Sequence, residues 1–398
     1  MSQTKPAPSF PTWLPWLLGF LTAIGPASID MYLPAFPAIE AEFAAPSGSA
    51  QVTLAAYFAG LAVGQLSQGT LSDRFGRRSP ILIGTALYAV ASIGAALAPD
   101  LFWLSVFRAI SAFGGAAGSV IPRAMVRDLA TGHAAAVMMS QLTLVLGAAP
   151  ILAPSIGGLV LMFGSWRWIF WILAAYAALC CLLVWRLLPD TLPRENRIEL
   201  RLGQQLRRYA AILRERYFVS HGAMACCAFF AYLAGSSPVF ILGFGLTPAQ
   251  FALLFGANSI ALIAASQVNA RLVRRVGPSR VLRVVSRLHL AATATLAIIA
   301  FTGDPSFIAV VMPLLLAVAC MGLLNPNTVV GALTHQGHQA GSASAVMGTA
   351  QFLLGAIGGL LVGAFTDSSP RGMAALMLLG SIGLVLADRL RPKASASF

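Results

Sequence analysis

The chain has 398 residues, of which 58% are hydrophobic and only 10% charged, and its mean hydropathy is +0.80. That composition excludes a soluble globular protein and marks a polytopic membrane protein. The formal charge of +13 does not point to nucleic acid, because the basic residues stand between apolar runs and build no contiguous groove with interleaved aromatics. Positive-inside topology accounts for them.

Runs of about 20 apolar residues are long enough to cross a bilayer. They predict helices over 13–34, 50–71, 79–98, 101–127, 135–164 and 167–188, then 217–243, 248–270, 280–302, 305–333, 340–365 and 371–389. The first run follows a short polar arm, 1–12, but it contains Asp30 and lacks a clear small-residue cleavage site, so it reads as a helix rather than a signal peptide. Two six-helix bundles, 13–188 and 217–389, are expected, joined by a linker over 189–216 and followed by a tail over 390–398. The linker gathers Arg194, Arg197, Arg201, Arg207, Arg208, Arg214 and Arg216. This charge puts it on the cytoplasmic side, and an even number of crossings puts both termini there too. Only Arg167 and Arg371 fall in outer loops, which are short and mildly acidic, with Glu40, Glu42, Asp100, Asp304 and Asp367. The five cysteines (Cys180, Cys181, Cys226, Cys227 and Cys320) lie inside apolar runs, with no metal-like spacing and no expected disulfide.

Between the second and third helices stands GTLSDRFGRR, Gly69 to Arg78, with one acid, Asp73, and three arginines, Arg74, Arg77 and Arg78. It reads as a tight loop in which Gly69 and Gly76 permit close approach and positive φ. Arg77 and Arg78 would lie among lipid phosphates. The stretch resembles the signature between helices 2 and 3 of the major facilitator superfamily, the large family of twelve-helix secondary transporters. The resemblance implies an all-α membrane protein of two six-helix bundles with inverted repeats. The loop Asn269 to Gly277, NARLVRRVG, stands 201 residues after the first charged loop and has Arg274 where Asp73 stands. In the family, the acid matching Asp73 approaches the start of helix 11 and an arginine of helix 4, closing the inner side. The resemblance therefore implies that Asp73 latches onto Arg123 or Arg127 and onto the helix start near Gly341, Ser342 and Ser344, whose free amides favour an anion. The plainer reading is a solvated loop charge.

Within the hydrocarbon region the ionisable residues well away from helix ends are Asp30, Arg108 and, less centrally, His289. Asp30 and Arg108 both lie roughly 6 to 11 Å below the outer end at 1.5 Å per residue. A lone carboxylate at that depth is costly, so it is protonated or paired. Either the two form a permanent salt bridge that only fixes helix packing, or Asp30 is a proton site that Arg108 tunes. The surrounding string, SIDMYLPAFP from Ser28 to Pro37, resembles helix 1 of the bicyclomycin-resistance (Bcr/CflA) branch of drug:proton antiporters. Arg127-Asp128, Phe170 to Leu173 and Leu192-Pro193 extend that resemblance over the first half. The fifth helix carries Gly147, Pro150, Pro154, Gly157 and Gly158, similar to the antiporter motif of exporting members, with Ala153 in place of one glycine. Small residues and prolines there let two helices approach and bend. The fourth helix departs from the family's Arg-x-x-Gln-Gly, reading Arg108-Ala109-Ile110-Ser111-Ala112.

Polar or aromatic residues near the middle of their helices, Tyr32, Tyr57, Phe229, Phe230, Tyr232, Asn258 and Gln351, are candidates for a drug cavity. Asn325 and Asn327 flank Pro326 and mark a break or kink. His335 and His338 read as exposed loop residues without a metal set. No nucleotide loop or nucleophile–base motif appears, so a non-enzymatic, cofactor-free transporter is expected. The resemblance implies an exporter of small amphiphilic antibiotics in exchange for protons, in the bacterial inner membrane and in contact with its lipid. A two-bundle transporter with a central cavity needs no partner, so a monomer is expected. A native-metabolite exporter and an uptake symporter share the same fold.

Overall fold

The computed structural model describes residues 11–391 except 131, 198–201, 227–229, 304, 337–338 and 366–367. Among the described residues, twelve helical segments account for the two bundles. In the first half they are α1 (Leu14–Glu42), α2 (Ala50–Phe75), α3 (Arg78–Ala96), α4 (Leu101–Leu129), α5 (Gly132–Phe163) and α6 (Arg167–Leu187). In the second they are α7 (Arg216–Gly243), α8 (Pro248–Val276), α9 (Pro278–Phe301), α10 (Phe307–Leu333), α11 (Ala340–Gly363) and α12 (Pro370–Leu390). A separate linker helix, Leu202–Arg214, runs between the halves.

Eleven of the twelve are, among the described residues, long and apolar enough to cross a bilayer. The exception is α2, whose 26 residues include Gln51, Gln65, Ser67, Gln68, Thr70 and Ser72. Protein covers it from both sides, α4 within its own half and α11 from the other. A helix walled by protein has less need of an apolar surface than one that faces lipid.

The halves repeat one packing scheme. In the first, α2 lies against α4, α3 against α4 and α6, and α1 against α5; six helices later, α8 lies against α10, α9 against α10 and α12, and α7 against α11. The halves meet along two seams, α2 with α11 and α5 with α8. On the side away from the linker, Glu40, Glu42 and Asp100 are structural, while Asp304 and Asp367 lie outside the described residues. Glu40 Oε1 accepts from the Gly48 and Ala50 amides at 2.9 Å each and so caps α2, Glu42 pairs with Arg167 at 2.8 Å, and Asp100 caps α4 through the Trp103 amide at 2.8 Å.

One boundary differs from the sequence expectation. The stretch from Gly69 to Arg78 is mostly not a loop, because α2 continues to Phe75 and the turn is confined to Gly76 and Arg77. Apolar run length marks where a helix leaves the hydrocarbon, whereas backbone hydrogen bonding carries the helix on until Gly76, at φ +88°, stops it. Gly277, its counterpart in the second half, has φ +78°.

Candidate functional site

Prolines set the shape of α1. Pro26, Pro34 and Pro37 lack the N–H that would bond the carbonyls of Thr22, Asp30 and Leu33. The segment accordingly divides into Leu14–Thr22, Ile24–Asp30, a 3₁₀ turn Leu33–Ala35, and Phe36–Glu42. Asp30 ends the second piece. It is 5% exposed and, among the described residues, has neither an ion pair nor a hydrogen bond.

Arg108 does not pair with Asp30, so the salt-bridge expectation is corrected. Its Nη1 donates to Ser28 O and Ser28 Oγ, both at 2.9 Å, and its guanidinium packs 4.1 Å from the Tyr57 ring, 4.4 Å from Tyr32 and 5.8 Å from Phe170. Nε and Nη2 have no acceptor among the described residues. The reason is helical geometry. Ser28 and Asp30 are two residues apart, on opposite flanks of one turn, so the face that offers Ser28 to α4 turns Asp30 away. The tyrosines within electrostatic reach of Asp30 are Tyr57 and, from the second half, Tyr232.

The α5 motif joins this layer to the other half. Gly157 touches α1 so closely that a Cβ would stand 2.2 Å from Met31 O, next to Asp30. Gly158 faces Pro248 of α8, with 3.1 Å between such a Cβ and its carbonyl oxygen, and Gly147 faces Ile263 at 3.8 Å. Pro154 has no N–H for the carbonyl of Pro150, four residues back. Ser259 Oγ of α8 stands 3.3 Å from that carbonyl and shares its one hydrogen between it and Phe255 O at 3.0 Å. The prolines thus free an acceptor for the opposite bundle.

The other cavity candidates fall into separate places. Tyr32 donates to or accepts from Thr53 Oγ1 at 2.6 Å and, with Tyr57, is fully buried around Arg108. Tyr232 receives the Asn258 Nδ2 hydrogen at 2.9 Å and stacks on Phe255. Gln351 stands apart, donating to Ala225 O at 3.3 Å. Phe229 lies outside the described residues, and Phe230 begins the second helical piece of α7.

At the linker side Asp73 does not reach Arg123, Arg127 or the start of α11, contrary to expectation. Its carboxylate is taken by Arg77, one turn on, at 2.5 Å, and Arg77 is also held by Asp128 at 2.7 Å. Burial works against the Arg77 charge, but the two carboxylates outweigh it and leave the guanidinium pKa raised. Asp190 receives the Arg77 amide at 2.8 Å and pairs with Arg197 at 2.8 Å, tying the linker to the turn at Gly76. Arg78 Nη2 donates to Trp185 O at 2.5 Å, and Arg74 lies over Phe75. Gly69 lies within α2, where a Cβ would stand 3.8 Å from Val120 Cγ1. Between Asp73 and the first turn of α11 lies a cavity of about 600 Å³, lined from both halves and by the linker helix.

Comparison with known proteins fits this architecture. The Major Facilitator Superfamily profile matches residues 18–359. The chain belongs to the major facilitator superfamily. A transporter of this superfamily from Bacillus subtilis (strain 168), YdgK, is 34% identical over 93% of this chain and 92% of its own length. The bicyclomycin resistance protein homolog of Haemophilus influenzae is 31% identical over 87% of each chain. Among solved structures, a D-xylose-proton symporter superposes with a TM-score of 0.72 at 17% identity, over 94% of this chain and 96% of the other, which speaks to the fold alone.

As a major facilitator transporter the chain is a multi-pass membrane protein that moves a small molecule, not an enzyme. Four further residues take part. Phe170 forms the third wall around Arg108, within the Phe170 to Leu173 motif. Asp128 and Asp190 complete the Arg77 cluster, and the Arg127-Asp128 pair is the sequence signal for it. Glu215 accepts from Gln336 at 3.0 Å and lies 3.2 Å from His335 Nδ1, so that exposed loop histidine has a partner 120 residues earlier.

Proposed function

We propose that the chain exports small amphiphilic antibiotics, of the kind implied by its resistance-protein relatives, in exchange for protons across the bacterial cytoplasmic membrane. The observation that carries this reading is Asp30: a buried carboxylate without a partner among the described residues, at a break in α1, beside the close α1–α5 contact at Gly157. Holding a charge there is costly unless its surroundings change during the cycle, which is what a proton carrier in an alternating-access protein requires. Arg108, fixed by Ser28 and its aromatic walls, supplies a constant positive potential to that layer. Substrate meets Tyr232 and Asn258 of the second half and the neighbouring α7 and α11 side chains.

Asp73 is the movable latch. It rests on Arg77 while the linker-side cavity is open, and reaches Arg123 or Arg127 and the first turn of α11 when that side closes. The protein works as a monomer of two bundles, 13–188 and 217–389, with the arm 1–12, the linker and the tail 390–398 in the cytoplasm and the helices in contact with lipid.

The test is accumulation of bicyclomycin- and chloramphenicol-like compounds in an efflux-deficient bacterium expressing the chain or Asp30→Asn, with and without a protonophore. Export that stops with either the substitution or the protonophore is expected. Export that persists with Asp30→Asn refutes the carrier assignment; no export of any compound turns the reading to a native-metabolite exporter or an uptake system.

A further inference from the structure

The linker-side cavity is lined by Arg123 and Arg127 of α4 and Arg208 of the linker helix. None of the three has a carboxylate or any other hydrogen-bond partner among the described residues. The single acid in the lining, Asp73, is already engaged by Arg77. Arg123 and Arg127 are near enough for their charges to repel. Arg127 Nη2 lies 3.7 Å from the place a Cβ on Gly341 would take, over the first turn of α11, where no side chain caps the helix. Uncapped amides and the helix dipole add to the positive field. Deeper along α4, Arg108 also keeps two donor nitrogens, Nε and Nη2, without acceptors among the described residues. A cavity walled in this way by one sign of charge concentrates ligands of the other sign.

We propose that the linker-side cavity selects for anionic amphiphiles: it receives a carboxylate or comparable acidic group most tightly, takes neutral amphiphiles such as the antibiotics above less tightly, and turns away ammonium compounds. This rests on the export reading, in which substrate enters from the linker side. Arg123 is 15 residues beyond Arg108 on α4, about 22 Å along the helix axis at 1.5 Å per residue. The acidic group captured at the mouth therefore does not meet Asp30, and coupling to protons stays conformational.

The test uses the purified full chain in a neutral detergent and three naphthyl amphiphiles that differ in one group: naphthylacetate, naphthylacetamide and naphthylethylammonium. Affinity is expected to fall in that order, by about tenfold at each step at low ionic strength, and the spread should shrink in high salt. Arg208→Lys should keep the order and Arg208→Glu should flatten or reverse it. If Arg208→Glu does not fold, Arg127→Gln in the same assay should narrow the spread. Equal binding of the three compounds, tightest binding of the ammonium compound, or an order indifferent to these substitutions overturns the proposal. If short-chain phosphatidylglycerol binds in an Arg208-dependent way and none of the naphthyl compounds does, the occupant is a lipid headgroup and the proposal fails. Loss of neutral-antibiotic efflux with Asp30→Asn in cells would stand whichever order is found, so the two readings fail separately.

Discussion

Gly157 and Gly158 are neighbours in sequence with the same expected role, yet the structure gives them different tolerances. In Gly157→Ala the new Cβ would lie 2.2 Å from Met31 O. A carbon and a carbonyl oxygen rest about 3.3 Å apart, so α1 and α5 must separate by about 1 Å at the residue next to Asp30. Overpacking of this kind costs about 1–3 kcal/mol. In Gly158→Ala the nearest atoms are Pro248 O at 3.1 Å, Ala249 Cα at 3.4 Å and Ala252 Cβ at 3.4 Å. A shift of a few tenths of an ångström at the α5–α8 seam relieves that contact. Thermal unfolding of the purified proteins should place Gly157→Ala below Gly158→Ala by about 2–4 °C for each kcal/mol, in a unit the size of one bundle. The accumulation assay should show impaired export for Gly157→Ala, since the Asp30–Met31 backbone moves. Equal melting temperatures for the two variants would show that α1 is free to move away from α5, and the close contact would then explain nothing about the motif.

Gly76→Ala should destabilise the linker-side turn: the residue has φ +88°, and a Cβ would fall 2.0 Å from Asp190 Oδ2. Strain at positive φ costs about 1–3 kcal/mol, and faster proteolysis of the linker is the readout. Arg108→Met removes a buried cation with two unpaired donors and should leave stability within about 2 kcal/mol of the parent, while export is lost; a variant that fails to fold would make Arg108 a structural residue instead. For Glu215, burial alone would raise the pKa, but the Gln336 and His335 side chains and the Phe218 amide outweigh it and hold it below the ordinary value. The tie between the linker and the α10–α11 connection is therefore fully present above the ordinary glutamate value of about 4.3 and is lost as pH falls through the lower folded value. Amide exchange around Phe218 should rise on acidification, and Glu215→Gln should abolish that pH step.

The fold class, the number of crossings and the charged turn were legible because a bilayer imposes a length and a polarity on each segment. Even there, α2 fell short on hydropathy, since its Gln and Ser residues face protein from both halves. The prolines of α5 signalled a bend, but not that Pro150 O would be taken by Ser259 from the other bundle. Asp30 and Arg108 stood out as rare intramembrane charges, at matching depth. Depth along two helices does not say which way each side chain turns.

The sequence by itself therefore determined the segments, their order and the scarcity of charge within them, all properties of a local run of residues in an apolar solvent. Only the tertiary structure decided the partners. Ser28 rather than Asp30 meets Arg108, Arg77 rather than Arg127 holds Asp73, and Glu215 meets His335. Partnership depends on the rotation of each helix about its axis, which is set by packing against several neighbours at once, and no single stretch of sequence contains that information.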